Sequence, residues 1–105
     1  MKIVILGSGN GSNAEAILRS AAEGQLDNTS IVGVFSDVEE SKILIHSKKY
    51  NVPAKFLFPG GKNSIIMKEQ EYNWINELKV LKPDLIVLAG FMRILSKKFL
   101  EAFNY

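Results

Sequence analysis

The 105 residues contain no cysteine, three prolines and a single histidine. The first absence excludes disulfides and thiolate metal sites, and it fits a cytoplasmic protein. Charge of one sign is also lacking: 13 basic residues stand against 11 acidic ones, interspersed rather than gathered into a run, which gives nucleic-acid binding no support. The apolar N-terminal stretch Lys2-Ile3-Val4-Ile5-Leu6 is far too short for a membrane span or a secretory core. Internal repeats, low-complexity segments, metal-ligand clusters and nucleophile–base pairs are not visible. What remains, with 47% hydrophobic and 23% charged residues, is the composition and length of one small globular domain.

Strand-like runs at about 2 to 7, 29 to 36, 54 to 58 and 84 to 89 are separated by helical patterns, which is βαβ alternation. Lys2 to Leu6 and Asp84 to Leu88 are continuously apolar, as expected for neighbouring central strands of a parallel sheet covered on both faces. Right-handed crossovers predict an α/β, Rossmann-like parallel sheet of order 3-2-1-4 with helices on both faces. The first helix is expected from about 13 to 23, with Ser12 and Glu15 at capping-box spacing and Gly24 closing it. Asp37 and Glu40 suggest a second capping box. A third helix is expected over about 64 to 81, turning Trp74, Ile75, Leu78 and Leu81 inward and Lys68, Glu71, Glu77 and Lys82 outward. Ser96 is expected to cap a last helix through Phe99, Leu100 and Phe103.

The most informative stretch is Gly7-Ser8-Gly9-Asn10-Gly11-Ser12-Asn13, a glycine-rich turn between an apolar strand and a helix. Such a turn brings backbone close to a ligand and aims the first helix N–H groups at it, so a phosphate is the natural guest. On this reading Gly11→Val abolishes phosphate binding because a Cβ fills the approach path. A plain turn and cap is the simpler alternative. Gly7-x-Gly9-x-x-Ser12 lacks the third glycine of the dinucleotide fingerprint, and Asp37 reads more simply as a helix cap than as a ribose-binding acid.

The second unusual loop, Gly90-Phe91-Met92-Arg93-Ile94-Leu95, is apolar where surface loops are normally polar. Its apolar side chains either pack beneath the last helix or wall a flat ring, with Arg93 supplying a fixed charge, and both can hold at once. It leaves the same end of the sheet as the glycine turn, so the two loops should line one cleft. His46 reads as a surface or boundary residue, and Lys62 as a loop lysine.

These two stretches, Gly9-Asn10-Gly11-Ser12-Asn13 and Pro83 through Leu95, closely resemble the phosphoribosylglycinamide formyltransferase (GAR transformylase) family of purine synthesis. The glycine turn separates the sequence from the related methionyl-tRNA formyltransferases. The resemblance implies that Gly11, Ser12 and Asn13 hold the phosphate of glycinamide ribonucleotide while Asn10 shapes the turn. It implies that Met92, Arg93, Ile94 and Leu95 form part of the pocket for the pterin of 10-formyltetrahydrofolate, with no metal required. The family's catalytic Asn-x-His motif and later Asp are absent here, so this chain reads as an N-terminal half that binds substrates and turns over negligibly by itself. A nucleotide-binding module without chemistry and an assembly subunit that self-associates through an exposed fourth strand are the alternatives.

Overall fold

A computed structural model describes residues 1–61 and 64–103; the expected loop lysine Lys62 lies outside them. Four strands alternate with four helices in the order β1 (Lys2–Gly7), α1 (Ser12–Ala22), β2 (Ser30–Ser36), α2 (Lys42–Lys49), β3 (Ala54–Phe56), α3 (Lys68–Val80), β4 (Leu85–Leu88) and α4 (Lys97–Ala102). The strands form one sheet of order β3-β2-β1-β4, every pair parallel, as the alternation predicts.

Side chains of β1 leave the sheet alternately on its two faces, and each set begins a separate core. Ile3 and Ile5 pack with Ala14 and Leu18 of α1, Val34 of β2 and Ile43 of α2. Val4 and Leu6 pack with Trp74, Ile75 and Leu78 of α3, Phe35 of β2 and Phe99 of α4. A continuously apolar strand is what this arrangement needs, because no residue from Ile3 to Leu6 faces water. β4 shares the composition but not the placement. It lies at the sheet edge with Leu85 and Leu88 exposed, so the expectation of a second strand covered on both faces is corrected.

Between β1 and β2 the register slips by one residue, Ile3 pairing with Ile31 and Val4 with Gly33. A Cβ on Gly33 would lie 2.6 Å from Leu81 Cδ1, so the glycine makes room for the end of α3. Tyr50, which ends α2, donates its hydroxyl to Glu15 of α1 at 3.0 Å. Loss of solvation, then the bond to Glu15, push its phenol above the ordinary value.

Several boundaries differ from the sequence reading for physical reasons. Gly11, in a left-handed conformation at φ 78°, is the N-cap of α1, which makes Ser12 the first helical residue rather than a cap. Glu15 consequently sits one position too late for a capping box and accepts from Arg19 and Tyr50. The cap of α2 is Ser41, not Asp37, and α3 begins only at Lys68. Glu71, expected to face water, is buried and accepts from the Ser96 hydroxyl at 2.6 Å; Ser96 also accepts from Phe99 N–H and so caps α4 as expected.

Trp74, the only tryptophan, has no exposed surface and donates through Nε1 to Phe58 O at 3.1 Å. It reports on the core that Leu78 fills beside it. Leu78→Ala is expected to lower the unfolding free energy by about 2–5 kcal/mol. Urea titration followed by Trp74 emission measures the change.

Candidate functional site

Both unusual loops leave the carboxyl end of the sheet, one from β1 and one from its neighbour β4, and backbone bonds continue the strand pairing outward. Ala89 N–H donates to Leu6 O at 2.8 Å and Ser8 N–H to Gly90 O at 3.2 Å. The Ser8 hydroxyl then accepts from Met92 N–H at 2.9 Å. Together the loops enclose a cleft of about 250 Å³ lined by residues 9 to 13 with Ala89, Gly90 and Met92. The structure therefore brings Gly11, Ser12 and Asn13 together with Met92. Arg93, Ile94 and Leu95 do not line this cleft.

Within the turn, Asn10 Oδ1 accepts from Ser12 N–H at 3.2 Å, a local side-chain turn that holds the entry to α1. Asn13 and Ala14 N–H have no acceptor among the described residues, and the Ser12 and Asn13 side chains are exposed at the rim. Of Asn13 and Ala14, the former lines the cleft, so the helix start brings an unpaired donor beside it. The reason for glycine at position 11 is different from the one expected. A Cβ there would lie 2.9 Å from Ile43 Cα and 3.0 Å from Ile43 Cβ, against the first turn of α2 rather than in a ligand's path. Gly9 is the open position, with nothing within 4 Å of a built Cβ.

The 91–95 loop divides its side chains. Phe91 turns inward against Trp74, ring centroids 5.7 Å apart, and Leu95 packs on the same core. Met92 and Ile94 are 70% and 68% exposed. Arg93 points neither into the core nor into solvent. Its Nε donates to Asp37 Oδ2 at 2.8 Å, Nη1 to Ile65 O at 2.8 Å and Nη2 to Gly61 O at 2.7 Å. Asp37 Oδ1 accepts from the Ser8 hydroxyl, so both carboxylate oxygens are engaged and the side chain is only 4% exposed. The charge expected on Arg93 is fixed but paired, and Asp37 is neither a helix cap nor free to meet a ribose.

Sequence reasoning missed this pair, although the strand order contained the clue. Asp37 follows β2 and Arg93 follows β4, and both strands flank β1, so an acid and a base emerge at one end of the sheet on either side of the glycine turn. His46 is half-buried on α2 and does not line the cleft, as expected of a boundary residue. A larger open cleft of about 520 Å³ lies between α2 and β3, involving neither loop.

The family model for formyl transferase matches residues 1–105. The chain belongs to the formyl transferase family. Among relatives, it is 35% identical over 101 residues to phosphoribosylglycinamide formyltransferase of Escherichia coli, a match covering 96% of this chain and 46% of that protein. The crystal structure of phosphoribosylglycinamide formyltransferase from Brucella melitensis superposes with a TM-score of 0.82 at 36% identity, covering 98% of this chain and 52% of that one. Glycinamide ribonucleotide transformylase 1 from Symbiobacterium toebii gives 0.86 at 28% identity, covering 99% and 48%. This formyl transferase chain thus spans about half the length of the relatives it matches.

Asp37 and Arg93 are both shielded from water, so the loss of either leaves the other an unpaired charge. Asp37→Ala is expected to cost about 3–5 kcal/mol of stability. The double variant Asp37→Ala/Arg93→Met should cost less than the sum of the single variants, which a double-mutant cycle from urea unfolding checks.

Proposed function

We propose that the protein carrying these residues transfers a formyl group from 10-formyltetrahydrofolate to the amino group of glycinamide ribonucleotide, in the cytoplasm and within purine biosynthesis. In that reaction this chain supplies binding surface. The observation that carries the reading is the bonding of the glycine turn to the 91–95 loop through Ser8, which sets an anion cradle beside an apolar ledge. Gly11, Ser12 and Asn13 receive the ribonucleotide phosphate at the start of α1. Met92, Arg93, Ile94 and Leu95 form one wall of the pterin pocket, in which Met92 and Ile94 offer apolar surface, the main chain reads the ring edge, and Arg93 and Leu95 hold the segment in place.

Attack of the amine on the formyl carbon passes through a tetrahedral intermediate that needs oxyanion donors and an acid–base pair. The 105 residues contain no Asn-x-His motif, and His46 does not line the cleft. Their contribution is therefore proximity: holding the amine-bearing ribonucleotide and the formyl donor in adjoining sites.

Two of the turn's three glycines, Gly9 and Gly11, separate ligand binding from folding. Gly9→Ala adds a Cβ to open cleft space, so its midpoint of thermal unfolding should stay unchanged while its affinity for glycinamide ribonucleotide falls by about tenfold or more. Gly11→Ala meets α2 backbone at positive φ and should lose about 1–3 kcal/mol of stability instead. Isothermal titration with glycinamide ribonucleotide, with inorganic phosphate as competitor, decides. Unchanged affinity in Gly9→Ala, or no competition by phosphate, would remove the phosphate assignment.

A second reading, self-association through β4, is favoured by a separate observation. Leu88 of β4 is 51% exposed and borders an apolar cleft of about 310 Å³ with Ile86, Leu95, Phe99 and Leu100. An uncovered apolar edge strand is a template for pairing. Sedimentation velocity should show concentration-dependent dimers that Leu88→Lys abolishes.

A further inference from the structure

The Asp37 carboxylate lies behind both loops and belongs to neither. It accepts from the Ser8 hydroxyl of the glycine turn through one oxygen and from Arg93 Nε through the other. Ser8 Oγ, its proton committed to Asp37, presents lone pairs to Met92 N–H. The guanidinium, oriented by Asp37, spans to the carbonyls of Gly61 and Ile65, and Ile94 N–H bonds to Ser64 O. One buried carboxylate thereby sets the direction of the Ser8 hydroxyl, the rotamer of Arg93 and the placement of Met92 and Ile94.

We propose that Asp37 is a positioning residue for the folate pocket: by holding Ser8 and Arg93 together it fixes the Met92–Ile94 main chain in the conformation that receives the pterin ring. The inference rests on the reading of this loop as the pterin wall. A carboxylate is needed because two donors converge on it, and an ionised acid accepts from both at once. An amide in its place has one oxygen and must turn its NH₂ toward either Arg93 or Ser8. Toward Arg93 it meets another donor, whereas toward Ser8 it leaves Arg93 an acceptor and the hydroxyl oxygen can still accept from Met92. Asp37→Asn should therefore retain much of the positioning, and Asp37→Ala should lose it.

The test uses amide hydrogen exchange together with binding, on the wild-type chain, Asp37→Ala and Asp37→Asn. The probes are a formyl-dideazafolate, as a stable analogue of the formyl donor, and glycinamide ribonucleotide. In Asp37→Ala, exchange at Met92 and Ile94 should accelerate by more than tenfold relative to the buried amides of β1, and folate-probe affinity should fall by about tenfold to a hundredfold. Ribonucleotide affinity should stay within about threefold, because the turn keeps its own Asn10 and Ile43 contacts. Asp37→Asn should recover most of the folate-probe affinity. Should Asp37→Ala fail to fold, Asp37→Asn with Ser8→Ala supplies the comparison, the serine variant freeing Met92 N–H and Asp37 Oδ1 while leaving Arg93 paired with Asp37 Oδ2.

Acceleration at Met92 and Ile94 no greater than that of the β1 amides, with both ligands weakened equally, would show a merely structural role and overturn the proposal. So would folate-probe affinity that survives a loosened loop. If the wild-type chain takes up no folate probe while still binding the ribonucleotide, the pterin reading itself fails and the inference falls with it, a result seen before any variant is made.

Discussion

An arginine drawn out of water must find acceptors for its donors, and at this sheet end the main acceptor is an acid two strands away. The Asp37–Arg93 pair is the constraint on which the site's geometry depends, since it spans the ends of β2 and β4 and encloses the β1 turn between them. A buried ion pair is weak evidence for stability, because desolvation offsets most of its attraction. Its value here is geometric: a planar guanidinium with three engaged nitrogens has one orientation, and the loop that carries it inherits that orientation.

The pair can form because of the sheet's order. Parallel strands all end on the same side, so the loops that follow β1, β2 and β4 emerge together although they are far apart along the chain. Hydrophobic burial on both faces of β1 fixes the register from which those loops start. In this formyl transferase chain the core therefore acts on the site indirectly, by deciding which loop residues can meet. Ser8 illustrates it: one residue past β1, it reaches Gly90, Met92 and Asp37 without leaving the line of its strand.

Periodicity and apolar runs made the four strands, their order and the convergence of the two loops legible, because those follow from local composition and the handedness of parallel crossovers. Helix starts were less so. Gly11 took the cap position that serine usually holds, since α2 backbone approaches too closely for a side chain, and that contact is tertiary. Asp37 was misread for the same kind of reason. An acid five residues before a helix looks like a cap locally, and only the partner fifty-six residues later shows otherwise. Glu71 looked solvent-facing by helical spacing until Ser96 came to meet it.

The contact of Gly11 with Ile43 carries one more consequence. Because interior backbone braces the turn from behind, the turn holds one conformation of its own, and the anion proposed for it would cost little chain entropy on binding. On that proposed reading, variants of the turn would differ mainly in how long the anion stays, so dwell time rather than capture rate is the quantity on which this end of the sheet would act.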